Sequence, residues 1–265
     1  MRLAVDSRAC IVTGASRGIG RATAELLCRE GAHVLLVARH AEDLDEAVDA
    51  CRELGGRAVP ATLDVTSEGA AEQLADLCAA EFGRIDVLVN NAGTSSVRSL
   101  DELTDDDWLA QWEVNVMAPM RLTRAIAPRM VESGGGRIVN VCSSAGRRPS
   151  STNAAYSVTK AAELALTRGL AAEYADQGVR INAVAPGPTA SDLWLAPEGL
   201  LDQTAGRKGV PRDQALSDAA DRIPLKRFGT VEEVASVIAL LCSEEVAPSG
   251  AIWPVDGGHV SGTIS

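Results

Sequence analysis

The amino-acid sequence predicts a single α/β domain, doubly wound, in which a parallel sheet is covered by helices on both faces. Three observations carry this. Short runs rich in Val and Ile recur along the whole chain without the polar alternation of a half-exposed strand. Between them lie longer stretches with apolar residues at helical spacing. Glycine-marked turns separate the two kinds of segment, and no Pro/Ser-rich linker or internal repeat divides the 265 residues. That length suits one large domain with a sizeable core.

Taken in order, Cys10-Ile-Val-Thr13 is the first strand. It ends in glycines, after which Ile19, Ala22, Thr23, Leu26 and Leu27 recur at helical spacing and Gly31 offers a left-handed stop. Val34–Ala38 is a second strand, Ala41–Leu54 a polar helix closed by Gly55-Gly56, and Ala58–Leu63 a weaker third strand. Ser67 reads as the N-cap of a helix running to about Phe82. Ile85–Val89 and Arg137–Val141 are the fourth and fifth strands. One long helical stretch separates them, holding Trp108, Trp112 and Val116 and ending at Gly134-Gly135-Gly136. Ala154–Asp176 is a helix, Val179–Val184 a strand, Val231–Cys242 a helix and Ile252–Val255 the last strand. Residues 193–222 stand apart. They lack sheet periodicity and carry Pro197, Gly199, Gly206, Gly209 and Pro211, which predicts a functional lid. Its early apolar residues, Trp194, Leu195, Leu200 and Leu201, are expected at the mouth of a site, with the charged Arg207, Lys208, Arg212 and Asp213 facing solvent.

Composition narrows the function. The formal charge is −11 and aromatics make up 3%, which argues against nucleic acid or an anionic membrane as the partner. Six cysteines are scattered without a CxxC pair, and His33, His40 and His259 have no ligand spacing, so no metal site is expected. Asp6 and Arg8 interrupt the start of the chain where a signal peptide would be apolar, and no apolar run approaches a membrane span. A cytoplasmic protein is expected.

Three groups of residues suggest chemistry. Thr13-Gly-Ala-Ser-Arg-Gly-Ile-Gly20 joins the first strand to the first helix, where glycines let backbone N–H groups approach a pyrophosphate. The second strand ends in Val37-Ala38-Arg39, with no acid before Glu42, and Arg17 sits in the glycine loop. Two guanidiniums suit a ribose 2′-phosphate, so NADP(H) is favoured over NAD(H). Tyr156 and Lys160 stand at i, i+4 on one helix face, where an ammonium stabilises a phenolate and makes the phenol usable for proton transfer. Ser143 lies at the end of the fifth strand, within reach of a substrate carbonyl.

These pieces resemble the short-chain dehydrogenase/reductase family over essentially the whole chain. The matching segments are Thr13–Gly20, Asp64-Val65, Asn90-Asn-Ala-Gly93, Asn115, Ser143, Tyr156–Lys160, Asn182–Gly187, Pro224–Gly229 and Val255-Asp-Gly-Gly258. The resemblance implies a Rossmann domain with a seven-stranded parallel sheet, a nicotinamide cofactor and a homotetramer with Trp108–Met130 and Ala154–Asp176 at one interface and Gly257–Ser265 near another. It implies a tetrad in which Tyr156 is the acid/base, Ser143 polarises the carbonyl, Lys160 holds the nicotinamide ribose and Asn115 positions a water. It places Gly14, Ser16, Arg17, Gly18, Ile19, Gly20, Arg39, Asp64, Val65, Asn91, Ala92, Gly93, Pro186 and Gly187 around the cofactor. In Pro188-Thr-Ala-Ser-Asp192 the family pattern is altered, so Thr189 would bind through its backbone and Ser191 would supply the hydroxyl.

The expected reaction interconverts a ketone and a secondary alcohol. A 3-oxoacyl-(acyl-carrier-protein)-type reductase is the nearest alternative. It is weakened because no basic residues stand near Gly134 and Gln177, although Arg147 and Arg148 could serve an anionic substrate. From a different class, a catalytically silent nucleotide-binding scaffold is the remaining reading.

Overall fold

The computed structural model describes residues 3–260. One sheet holds strands β1 (Ala9–Thr13), β2 (His33–Ala38), β3 (Arg57–Thr62), β4 (Val87–Asn90), β5 (Gly136–Val141), β6 (Val179–Pro186) and β7 (Ile252–Val255), ordered β3-β2-β1-β4-β5-β6-β7. Every neighbouring pair is parallel. Each strand sends alternate residues to opposite faces. Cys10, Val12, Val34, Leu36, Val87 and Val139 meet α1 (Gly18–Arg29), α2 (Ala41–Glu53) and α10 (Val231–Cys242). Ile11, Leu35, Val37, Leu88 and Ile138 meet α3 (Ala70–Phe82) and α5 (Ala118–Glu132) on the other face, with Ala171 of α6 (Ala154–Tyr174). Continuous apolar runs are therefore apolar because both faces are covered.

The strand order reverses between β1 and β4, which opens a crevice at the carboxyl ends of the strands, where ligands bind in such sheets. All six cysteines are buried and unpaired. Among the described residues no helix is long and apolar enough to cross a membrane.

Several boundaries differ from expectation. Ser67 does not cap α3, which starts at Ala70 after Gly69 in the left-handed conformation at φ 75°. Strand β4 starts at Val87; the preceding Asp86 still pairs its backbone with Ala9 and Arg137 (both 2.8 Å), and its carboxylate accepts from the Ala9 N–H (2.9 Å) and meets the Arg8 and Arg84 guanidiniums. The long stretch before Gly134 is broken into a short turn (Leu100–Glu102), α4 (Asp105–Trp112), a π-helical turn (Glu113–Met117) and α5. Thr104 starts α4 by accepting from the Asp107 N–H at 3.2 Å while the Asp107 carboxylate accepts in return, a capping box. Residues 193–222 are largely helical, in α7 (Asp192–Leu195), α8 (Leu200–Lys208) and α9 (Arg212–Asp221).

Candidate active site

A cavity of about 740 Å³ occupies the crevice, bounded by the loops after β1, β2, β4, β5 and β6 and by residues 193–222. Its floor begins with the glycine loop. Gly14 and Gly18 have φ of 64° and 57°, a left-handed backbone that glycine adopts without strain. Helix α1 starts at Gly18 with no side-chain cap, so its first N–H groups remain free for an anion.

The loop is held from below. Asn91 Nδ2 donates to the Thr13 and Gly14 carbonyls (2.9 and 3.0 Å). The buried Thr13 hydroxyl accepts from the Asn91 and Ala92 N–H groups (both 3.0 Å) and donates to the Val89 carbonyl (3.2 Å). Gly14, Ser16, Arg17, Gly18, Ile19, Asn91, Ala92 and Gly93 all line the cavity. Gly20 does not. A Cβ there would overlap the Gly14 carbonyl and the Asn91 amide, so this glycine serves the close packing of helix against loop.

At the far end Arg39, Asp64 and Val65 line the wall. Burial would push the Asp64 carboxyl up, but the Thr66 N–H and hydroxyl (2.9 and 2.7 Å) and the Arg39 charge hold it below its ordinary value. Arg17 and Arg39 face the same cavity, as a paired phosphate site requires.

At the near end Ser143, Tyr156 and Lys160 line the wall together. The Ser143 hydroxyl accepts from the Ala145 N–H at 3.1 Å, capping a short turn at Ser144–Gly146. That turn lies against α6 so closely that a Cβ on Gly146 would stand 2.7 Å from the Lys160 backbone carbon. Glycine at 146 thus lets the turn that follows Ser143 dock on α6 at Lys160. The Lys160 ammonium stands 5.7 Å from the centre of the Tyr156 ring. It donates to the Val141 carbonyl (3.0 Å) and to the Glu163 carboxylate (2.8 Å). Burial alone would push Lys160 down, but Glu163, with Tyr156 and Cys142, holds it above its ordinary value.

Asn115 stands behind the cavity wall rather than in it, fully buried within the π-helical turn. Its Nδ2 donates to Gln111 Oε1 (2.9 Å) and Thr159 Oγ1 (3.2 Å). Its Oδ1 is buried without a protein partner and lies 3.0 Å from where a Cβ on Gly93 would sit. Pro186, Gly187, Thr189 and Ser191 line the same cavity. The Thr189 hydroxyl donates to the Gly187 carbonyl (3.0 Å), the Thr189 carbonyl accepts from the Ser191 N–H (2.8 Å), and Ser191 Cβ lies 3.6 Å from where a Cβ on Gly18 would sit.

The lid expectation is corrected in part. Leu193, Trp194 and Leu200 line the cavity, and Trp194 packs edge-on against Phe228. Leu195 and Leu201 instead join Ala205, Ala215, Val210 and Leu216 in the segment's own small core. Lys208 and Arg222, the first expected in solvent, line the cavity. Sequence reading also passed over Gly146, Gln111 and Glu163. Only Glu163 carried a signal: it lies on the Tyr156/Lys160 face of α6, three residues beyond Lys160.

Fold and site together define a dinucleotide-binding α/β oxidoreductase. Comparison with known proteins carries this further. The family model described as short chain dehydrogenase matches residues 8–196. The 3-oxoacyl-(acyl-carrier-protein) reductase FabG of Thermotoga maritima is 36% identical, over 98% of this chain and 100% of its own. L-Sorbose reductase of Gluconobacter frateurii, solved with NADPH and L-sorbose, superposes with a TM-score of 0.92 at 34% identity, over 98% of this chain and 99% of that one. NAD+-bound xylitol dehydrogenase superposes with a TM-score of 0.89 at 30% identity, over 96% and 99%. The chain belongs to the short-chain dehydrogenase/reductase family. It is accordingly an NAD(P)-dependent oxidoreductase acting on CH–OH and C=O groups.

Proposed function

We propose that this protein interconverts a ketone and a secondary alcohol with NADP(H) favoured, Tyr156 transferring the proton. The observation that carries the reading is the gathering of Ser143, Tyr156 and Lys160 in one cavity with the glycine loop and with Pro186, Gly187, Thr189 and Ser191. The residues present fit a nicotinamide dinucleotide. Free N–H groups and left-handed glycines face the middle of the cavity, and Arg17, Arg39 and Asp64 face its far end. When bound, that cofactor supplies or accepts hydride at the reacting carbon.

The chain's own groups do the rest. The Ser143 hydroxyl is placed to donate to a substrate carbonyl oxygen, and the Tyr156 hydroxyl to give that oxygen a proton or to take it back. Lys160 stabilises the phenolate electrostatically and offers a remaining N–H toward the ribose side. Asn115 Oδ1 provides a fixed acceptor for a water on the proton path. Gly14, Ser16, Arg17, Gly18, Ile19, Val65, Asn91, Ala92, Gly93, Gly187, Thr189 and Ser191 form the cofactor trough, with Gly20 shaping it from behind.

Residues 193–222 form a lid whose Leu193, Trp194 and Leu200 meet the substrate body and exclude water. A cytoplasmic homotetramer, paired through Trp108–Met130 and Ala154–Asp176, is the assembly this reading favours. Residues 261–265 of the second suggested interface lie outside the described residues. Light scattering giving about 28 kDa would refute the tetramer.

The carrier-protein reading draws support from the kinship with FabG and from Arg148, which lines the cavity while Arg147 does not. The decisive experiment is turnover on a panel of ketones, alcohols and 3-oxoacyl thioesters with both cofactors, in wild type and Tyr156→Phe. The variant keeps the ring but loses the transferable proton, so turnover falls ~10²-fold or more while NADPH still binds. Near-normal turnover refutes the mechanism. No turnover of any substrate by a wild type that binds NADPH supports the silent scaffold.

A further inference from the structure

The best-buried ionic group of the site has no part in the scheme above. Glu163 is 1% exposed and Lys160 3%, and their charged atoms meet at 2.8 Å beneath the cavity wall. Spacing explains how they meet. Tyr156, Lys160, Glu163 and Thr167 follow one another at i, i+4, i+7 and i+11, a single face of α6 turned toward the sheet. Around the pair the protein is otherwise poor in charge. The titratable groups that face it are Tyr156 on the same helix and the Cys142 thiol just beyond β5, which lies within hydrogen-bonding reach of the carboxylate. Thr167 continues the polar seam. It donates to the Glu163 carbonyl and accepts from Asn140 Nδ2 (both 2.9 Å), and Asn140 Oδ1 in turn accepts from Asn90 Nδ2 (2.8 Å).

We infer that Glu163 is a positioning residue that acts through Lys160: it is the buried counterion that keeps the ammonium charged and seated beside Tyr156. The inference rests on the role proposed for Lys160. A lysine removed from water loses its proton readily unless an opposite charge compensates, and here burial and Glu163 pull in opposite directions. Neutral Lys160 would cease to stabilise a phenolate and would hold a ribose hydroxyl less well. A carboxylate this deeply buried is not needed to fill space, since an apolar side chain of similar volume would do so without a desolvation cost.

The sequence offers a direct readout, because Lys160, Lys208 and Lys226 are its only lysines. Their isotope-labelled side chains can be titrated by NMR in wild type and in Glu163→Gln, with Lys208→Arg and Lys226→Arg assigning the signals. In wild type Lys160 remains charged past the ordinary lysine midpoint of ~10.4. In Glu163→Gln burial is no longer opposed, so the midpoint falls below ~10.4 and into the interval between about pH 7 and about pH 10, a loss of proton affinity of a hundredfold or more. NADPH binding, followed by nicotinamide fluorescence, then weakens from about pH 7 to about pH 10 in the variant while it stays level in wild type. Glu163→Asp, which keeps the charge on a shorter stem, restores most of the level behaviour. An unchanged Lys160 midpoint in folded Glu163→Gln overturns the inference, and so does a lowered melting temperature with a level pH profile, which would mark a structural role only. Should Glu163→Gln not fold, Glu163→Asp decides by the same titration, a fall of half a unit or more supporting the inference and no fall overturning it. Lys160→Met separates the two layers: if it leaves turnover and binding intact, the role given to Lys160 fails, whatever the titration shows.

Discussion

Thr13→Val tests whether the glycine loop is held by the hydroxyl beneath it. Valine matches threonine in shape and suits a buried strand, so packing changes little. What is lost is a hub. The Thr13 oxygen accepts from the Asn91 and Ala92 N–H groups at 3.0 Å each and donates to the Val89 carbonyl. Substitution leaves two N–H groups facing a methyl group. A buried unpaired donor costs ~1–3 kcal/mol, and because both residues are half-buried the lower part of that range applies, which gives ~2–3 kcal/mol in all. For a chain of 265 residues each kcal/mol moves the melting temperature by ~2–4 °C, so a fall of ~4–12 °C is expected. Thr13→Ser keeps the oxygen and loses only a methyl group, so it should fall by less than half as much. NADPH affinity should fall in Thr13→Val as well, because Gly14 and Asn91 shape the trough through the same contacts. Calorimetry and fluorescence titration measure both. A valine variant as stable as the serine one would refute the hub, leaving glycine backbone geometry alone to shape the loop.

Two further outcomes follow from the cavity walls. Arg39→Asp places a carboxylate beside Asp64 at the far end, so kcat/KM should shift from NADPH toward NADH; an unchanged ratio, or a wild type that already prefers NADH, refutes the phosphate site. Hydrogen exchange in 193–222 should slow when NADPH and a ketone are added, most at Leu193, Trp194 and Leu200, and least around Leu201 and Ala205, which pack in the segment's own core away from the cavity. Equal protection in both states would make the segment a fixed flap.

The fold was legible because its signals are local and redundant. Each strand run is apolar on both faces, each helix shows one apolar face, and glycines mark the turns, so composition within a dozen residues suffices. Contacts were less legible where residues distant in sequence make them. Asp86, just before β4, is buried with its carboxylate held by Ala9, Arg8 and Arg84, and no local pattern contains that. The same holds for 193–222. The helices there are short, with mixed faces, and they are stable through a small core shared among Leu201, Ala205 and Ala215. That core withdraws Leu195 and Leu201 from the cavity where composition alone had placed them.

The site divides along the same line. Tyr156, Lys160 and Ser143 were legible because their spacing sets them at one sheet edge, while the use of each neighbour's hydrogen bonds was not. Asn115 illustrates the difference. A plain α-helix from 105 to 132 would carry its amide at one angle, but the wider turn at Glu113–Met117 lies where Gln111 and Thr159 capture Nδ2 and leave Oδ1 directed at Gly93. Local irregularity of this kind is costly in a helix and persists where surrounding contacts determine it. Here those contacts come from α4 and α6 together, so the acceptor's aim depends on both helices being docked. Substitutions that loosen the fit of α4 on α6 should thus disturb the aim of Asn115 before they disturb the glycine loop of the trough, because that loop is fixed across the sheet switch itself, by the contacts between Thr13 and Asn91.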